Sequence, residues 1–317
     1  MPKKAQTPFD RMKNSTLTEW KRFPCQGYPD DINHYFNKRE KIIPLIDKTT
    51  PVASMGSCFA GYIARYLNKH GYKYIRTERT PEDLFSARWG SVLSPPCIKQ
   101  VFQYSLDKFE PIVPHWKIKS TETKRVLWQD PFRSGILHSP QDYNEKIKIH
   151  RENSKIAITT AKVFILTLGM VEVWRDKRDL STFSRVPPLH LYDENIHEFH
   201  VLSETECFDD LHETYLLLKK HNPKCHLIIS VSPIPLYATF RDDIDVVSAS
   251  NNSKSVLRSS ADRLIRLYED IHYFPSFEYV IYGFHGTGGP WLENSPRHVK
   301  RSVVSTMMEF FLKLFSK

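Results

Sequence analysis

At 317 residues the chain can form one large or two modest domains, and 40% hydrophobic with 26% charged residues is an ordinary globular composition. No run approaches the roughly 18 consecutive apolar residues of a membrane helix, and the basic start Met1-Pro2-Lys3-Lys4 has no apolar stretch behind it, which argues against a secretory signal. The net charge of +9 comes from bases interleaved with acids, as in Lys38-Arg39-Glu40 and Arg175-Asp176-Lys177-Arg178-Asp179, so no nucleic-acid-binding stripe is expected.

A surplus of this sign instead favours an anionic substrate, such as an acidic polysaccharide or an acyl-CoA. Cys25, Cys58, Cys97, Cys207 and Cys225 are odd in number and contain no CxxC pair. That points away from a zinc site or a disulfide framework and toward a reducing, cytoplasmic setting.

Residues 1 to about 50 are polar and punctuated by proline, with aromatics at Phe9, Trp20, Phe23, Tyr28, Tyr35 and Phe36. They read as an irregular arm packed on a body that spans 51–317. Four apolar runs in that body read as buried strands: Val52–Met55, Val163–Leu168, Leu227–Val231 and Tyr279–Tyr282. Their Val and Ile content, without alternation, suits a parallel sheet covered on both faces. Helical spacing of apolar residues marks Ala60–His70, Glu204–His221, Ser255–His272 and a terminal helix within His298–Phe315. Strands alternating with helices give a doubly wound α/β fold. Residues 105–155 and 175–202 interrupt the alternation and read as insertions near the sheet's ligand-binding edge.

The chemistry gathers where strands end. Gly56-Ser57-Cys58-Phe59-Ala60 places a serine between the first strand and the first helix. Such a serine has its hydroxyl at the carboxyl edge of the sheet and its N–H at a helix N-terminus, where developing negative charge is favoured. Taken alone, the pentapeptide fits a helix-capping serine as well as a nucleophile. Cys58 is the alternative nucleophile, but neighbours at a helix start point about 100° apart, so one of the pair faces the base, and the cysteine reads rather as a small buried residue. Gly169, after the second strand, allows close approach of backbone to a ligand. Glu172 beyond it is expected either to have a raised pKa or to bond backbone donors or Arg175. Ser232-Pro233-Ile234-Pro235 reads as a stiff pocket wall. His298 precedes the last helix with Glu293 five residues earlier, so a nucleophile near the start meets a histidine near the end. His285, in a glycine-rich stretch without a phosphate-loop pattern, is the competing base.

Together these segments resemble the GSCFA-domain family, which belongs with the SGNH/GDSL-type hydrolases. Gly56–Ala60 carries the motif that names the family. Arg88-Trp89-Gly90-Ser91, Thr167-Leu168-Gly169-Met170-Val171-Glu172-Val173-Trp174, Val231–Leu236, Asn252–Arg258 and Tyr273–Glu278 resemble its later blocks in order. The resemblance implies a three-layer α/β/α sandwich with a mainly parallel, flavodoxin-like sheet. It implies Ser57 as nucleophile, His298 as base, and an oxyanion hole from the N–H groups of Ser57 and Gly90 with the Gly169 block beside them.

Two positions depart from the superfamily pattern. Val171 stands where an asparagine donor is expected, and Ser295 where an aspartate precedes the histidine. Either Asn251 or Asn252 substitutes for the first or the hole has two donors, and the partner of the histidine is Glu293, a backbone carbonyl or nothing. Expected substrate contacts are Glu172, Trp174, Asn251, Asn252, Lys254 and Arg297, with no metal or cofactor. The function implied is a serine esterase or O-acyltransferase acting on an acyl ester, with an acylated carbohydrate the expected substrate. The alternatives are a glycan- or nucleotide-binding protein that keeps the fold with a weakened site and, less favoured, a nucleic-acid-binding module.

Overall fold

The computed structural model describes residues 42–78, 85–106, 109–120, 125–133, 136–282 and 299–317. Its elements, in chain order, are β1 (Val52–Gly56), α1 (Cys58–Lys69), α2 (Pro95–Leu106), β2 (Trp116–Lys119), β3 (Val126–Gln129), β4 (Leu137–His138) and α3 (Tyr143–Thr160). Then follow β5 (Val163–Leu168), β6 (Glu172–Asp176), β7 (Thr182–Phe183), β8 (His197–Val201), α4 (Glu204–His221), β9 (His226–Val231), α5 (Val246–Leu267), β10 (Ile271–Tyr273), α6 (Ser276–Ile281) and α7 (Arg301–Phe315).

The central sheet has the order β1-β5-β9-β10, all parallel. On the outer edge of β1, Tyr74 forms one further parallel bridge to Val52. Read across, the chain order is therefore 2-1-3-4-5, the doubly wound arrangement whose direction reverses between β1 and β5. Ligands in such sheets bind at the carboxyl ends of the strands flanking that reversal.

Side-chain alternation along buried strands builds the two outer layers. Ala53, Met55, Phe164, Leu166, Leu227 and Ile229 join the core beneath α2, α3, α4 and α5. Val52, Val163, Ile165 and Ile228 face the opposite way, against α1, α6 and α7. This is the expected three-layer α/β/α sandwich with a mainly parallel sheet.

Two boundaries differ from the sequence reading. Tyr279–Tyr282 is not a strand: it lies in and just after α6, which opens after Pro275 and buries Tyr279 and Val280 against α7. The fourth strand is Ile271–Tyr273, in register with Leu227–Ile229. Apolar runs of three or four residues carry no periodicity, so pairing decides between strand and helix. Likewise α5 begins at Val246, where the Asp245 carboxylate accepts from the N–H groups of Val247 and Ser248. Asn251 and Asn252 thus lie in its second turn, and its C-terminal end gives way to the turn before β10.

The two interruptions each hold a small antiparallel sheet, β2-β3-β4 and β7-β6-β8. Of the arm, residues 42–46 run alongside the end of α7, where the N–H groups of Ile43 and Leu45 donate to Leu314 and Phe315 carbonyls. No helix among the described residues is long and apolar enough to cross a membrane.

Candidate active site

Ser57 stands at the carboxyl end of β1, at the reversal between β1 and β5, and is the N-cap of α1. Its Oγ accepts from the Phe59 N–H at 3.2 Å and lies 3.0 Å from Thr167 Oγ1 on β5. Its own N–H donates to Thr167 Oγ1 at 2.8 Å and to the Thr167 carbonyl at 3.1 Å. The residue before it must be glycine. Gly56 has φ 133°, and a Cβ built there would lie 2.2 Å from the Thr167 oxygen.

The serine is thus both a helix cap and a residue of the sheet's carboxyl edge, and it is 3% exposed. Cys58, by contrast, is exposed, which corrects the expectation that it is the buried member of the pair. The cause is the cap geometry. Bonds to Thr167 turn Ser57 toward the sheet, and the 100° step at the helix start carries Cys58 outward. Cys97, Cys207 and Cys225 are free and buried.

The resemblance assigned oxyanion roles to three backbone donors. Ser57 N–H is taken by Thr167, and Gly169 N–H by the Leu93 carbonyl at 2.7 Å. Gly90, with φ 66°, donates to no acceptor among the described residues, and neither does Cys58 at the first position of α1. The Cys58 N–H is thus a donor at a helix N-terminus, a position where negative charge is favoured.

Thr167 was missed by sequence reasoning as a partner of the serine. A polar residue inside the fully buried strand VFILTL is the signal that could have found it, because a buried hydroxyl needs a partner.

Around this edge Glu172 opens β6, 4% exposed, and accepts from Thr239 Oγ1 at 2.8 Å and from the Phe240 N–H at 3.3 Å. It therefore fastens the loop after β9 rather than meeting Arg175, whose guanidinium pairs with Glu198 at 2.7 Å. Trp174, two residues on, is ringed by Tyr192, Phe199 and Phe240 at centroid distances of 5.3 to 5.7 Å. Phe240 is 53% exposed, so this aromatic group reaches the surface. Ser232 binds back into the sheet through its N–H to Leu168, and its Oγ accepts from the Ile234 N–H, which stiffens the proline loop.

On α5, Asn251 is exposed and Asn252 half-buried. Val171 is fully buried, so nothing at that position donates to a ligand. Lys254 is 2% exposed, and its Nζ donates to the Gly169 carbonyl at 2.6 Å. The side chain is enclosed, with its ammonium set against the turn after β5. His298, Glu293, Arg297, Ser295 and His285 lie outside the described residues. Among the described residues no group of three or more His, Cys, Asp or Glu is placed to hold a metal ion.

Several solved structures are similar. A carbohydrate esterase family 2 enzyme with its carbohydrate-binding domain, from Corynascus thermopiles (Myceliophthora fergusii), has 11% identity and a TM-score of 0.33, over 83% of this chain and 64% of that one. An acetyl xylan esterase from the rumen bacterium Butyrivibrio proteoclasticus has 12% identity and a TM-score of 0.35, over 85% and 63%. A family two carbohydrate esterase from Clostridium thermocellum, in complex with cellohexaose, has 10% identity and a TM-score of 0.31, over 84% and 63%. The chain spans just under two thirds of the length of each. No curated protein matches the sequence. The GSCFA family model matches residues 51–311, from the threshold of β1 into α7. By that match, which covers most of the chain and all four strands of the central sheet, the protein belongs to the GSCFA family.

Proposed function

We propose that this protein is an SGNH-like serine esterase or O-acyltransferase acting on an acyl ester, with an acylated carbohydrate as substrate and Ser57 and His298 as its catalytic pair. The observation that carries the reading is the place of Ser57. It sits at the reversal of a doubly wound sheet, at a helix N-terminus, with its hydroxyl on the carboxyl edge.

Ser57 Oγ attacks the ester carbonyl carbon as His298 takes its proton, and the open N–H groups of Cys58 and Gly90 stabilise the oxyanion. Collapse of the tetrahedral species expels the alcohol, which receives the proton from His298 and leaves an acyl-Ser57 ester. Water or a sugar hydroxyl then attacks that ester and regenerates the serine. Glu293 orients the imidazole. The exposed aromatic group around Trp174 suits the flat apolar face of a sugar ring, with Asn251, Asn252 and Arg297 as polar contacts. The surplus of positive charge fits an anionic glycan or an acyl-CoA donor. The free cysteines fit a reducing, cytoplasmic setting.

Turnover of p-nitrophenyl acetate and release of acetate from acetylated xylan test this reading. Ser57→Ala and His298→Ala are each expected to lower the rate by about a thousandfold or more, while Cys58→Ala keeps it. Equal rates in wild type and Ser57→Ala contradict the assignment. A carbohydrate acceptor that captures the acyl group separates transfer from hydrolysis.

A second reading, a binding protein with a weakened site, is favoured by one observation: the N–H groups of Ser57 and Gly169 are already bonded within the protein. Glycan binding with no turnover in wild type is the result that selects it.

A further inference from the structure

We propose that Lys254 is the positioning cation of this site: its buried ammonium holds the turn after β5 and lends positive charge to the edge where Ser57 turns over its ester. The proposal rests on the reading of Ser57 as a nucleophile. It gives a role to a group that no step above uses.

Lys254 lies on the face of α5 turned to the sheet and is among the largest fully buried side chains of the protein. An ammonium has three N–H groups to satisfy, and among the described residues its partner is a single carbonyl, that of Gly169. No carboxylate among the described residues pairs with it. The charged groups on neighbouring elements are engaged elsewhere. Glu172 accepts from Thr239 and Phe240, Glu204 on α4 pairs with Arg263, and Arg258 pairs with Asp262 and Glu278.

The bond it makes is one link in a continuous chain. Gly169 N–H donates to the Leu93 carbonyl, Val92 N–H donates to the Gly56 carbonyl, and Leu168 accepts from the Ser232 N–H. Lys254 therefore ties α5 to the segment carrying Gly90 and to the strand end carrying Ser57. Gly169 follows the last residue of β5 and lies two positions, about 7 Å of extended chain, from the Thr167 that bonds Ser57. In so dry a place a positive charge is felt far more strongly than in water.

Burial pushes the amine down to about 7. The fold would gain by an apolar side chain of the same shape, because an unpaired buried charge opposes folding. A residue that lowers stability beside a reactive edge is explained when it serves the chemistry.

The experiment measures the rate at which a fluorophosphonate modifies Ser57 in the full chain, across the neutral pH range, with melting temperatures in parallel. Wild type is compared with Lys254→Met and Lys254→Arg. The methionine variant is expected to melt at or above wild type and yet react about tenfold more slowly or worse. The wild-type advantage is expected to be largest below neutrality and to shrink as the amine loses its proton. Lys254→Arg, which keeps a charge, is expected to recover part of the rate with no such decline. Reaction of Lys254→Met within about twofold of wild type overturns the proposal. So does a slower rate accompanied by a lower melting temperature, which marks a structural lysine. Absence of any Ser57 adduct in wild type is a different failure: it removes the nucleophile reading, and this proposal with it.

Discussion

Gly56 and Ser57 share one partner, Thr167, and that sharing fixes the geometry of the carboxyl edge at β1 and β5. The glycine passes so close to Thr167 that a Cβ would meet its carbonyl oxygen at 2.2 Å and its hydroxyl at 2.6 Å. Backbone cannot swing away as a flexible side chain can, and φ 133° is itself unfavourable for any side chain. Gly56→Ala is expected to destabilise the fold by about 3 kcal/mol or more, read as a lower urea midpoint with an unchanged slope. A loss below about 0.5 kcal/mol would mean that β1 and β5 do not approach as described. The glycine and serine were legible in the sequence because a strand-to-helix turn is a local pattern. Thr167 was not, since its partner is 110 residues away. The exposure of Cys58 was hidden for the same reason: contacts across the sheet set how a helix start is rotated.

Among the elements, α1 shows how local chemistry bounds a helix. Ser57 caps its start. At its end Gly71, with φ 72°, donates to the Asn68 carbonyl while Tyr72 donates to that of Leu67, the paired bonds of a Schellman motif. Phe59, Ile63 and Leu67, four residues apart, bury its inner face. The long helices were legible from such periodicity, and α4 has the limits the sequence suggested, Glu204–His221.

The short strand β10 was not legible, and its support is electrostatic as well as apolar. Asp270, just before it, accepts from Tyr215 and Lys219 on α4. Burial raises the carboxyl, but the Lys219 ammonium and the Tyr215 hydroxyl outweigh that and hold it below the usual carboxylate range. A depressed folded pKa contributes stability above the unfolded value near 4, and that contribution is lost as pH falls through the folded value. Asp270→Asn is therefore expected to lower stability at neutral pH, by about 1 kcal/mol given its partial exposure. The difference from wild type should close as acid is added. A difference that stays constant with pH would show that Asp270 acts through shape alone.

At the scale of the whole molecule, two observations converge on one edge. The sheet order 2-1-3-4-5, completed by the Tyr74 bridge, puts the reversal at β1 and β5. The family blocks around Gly56, Gly90 and Gly169 meet there through the bonds of Val92, Leu93 and Thr167. The class of fold was legible because four buried runs and their helices alternate, even though one run proved to be a helix. The small sheets β2-β3-β4 and β7-β6-β8 were legible only as interruptions, since their strands are short and pair within themselves.

The central claim is that this edge makes Ser57 a nucleophile, and covalent trapping tests it most directly. After treatment of the full chain with a fluorophosphonate, peptide mapping is expected to find one adduct on Ser57, absent from Ser57→Ala and greatly reduced in His298→Ala. An intact Ser57 in reagent-treated wild type, or a level of modification that Ser57→Ala leaves unchanged, would contradict it.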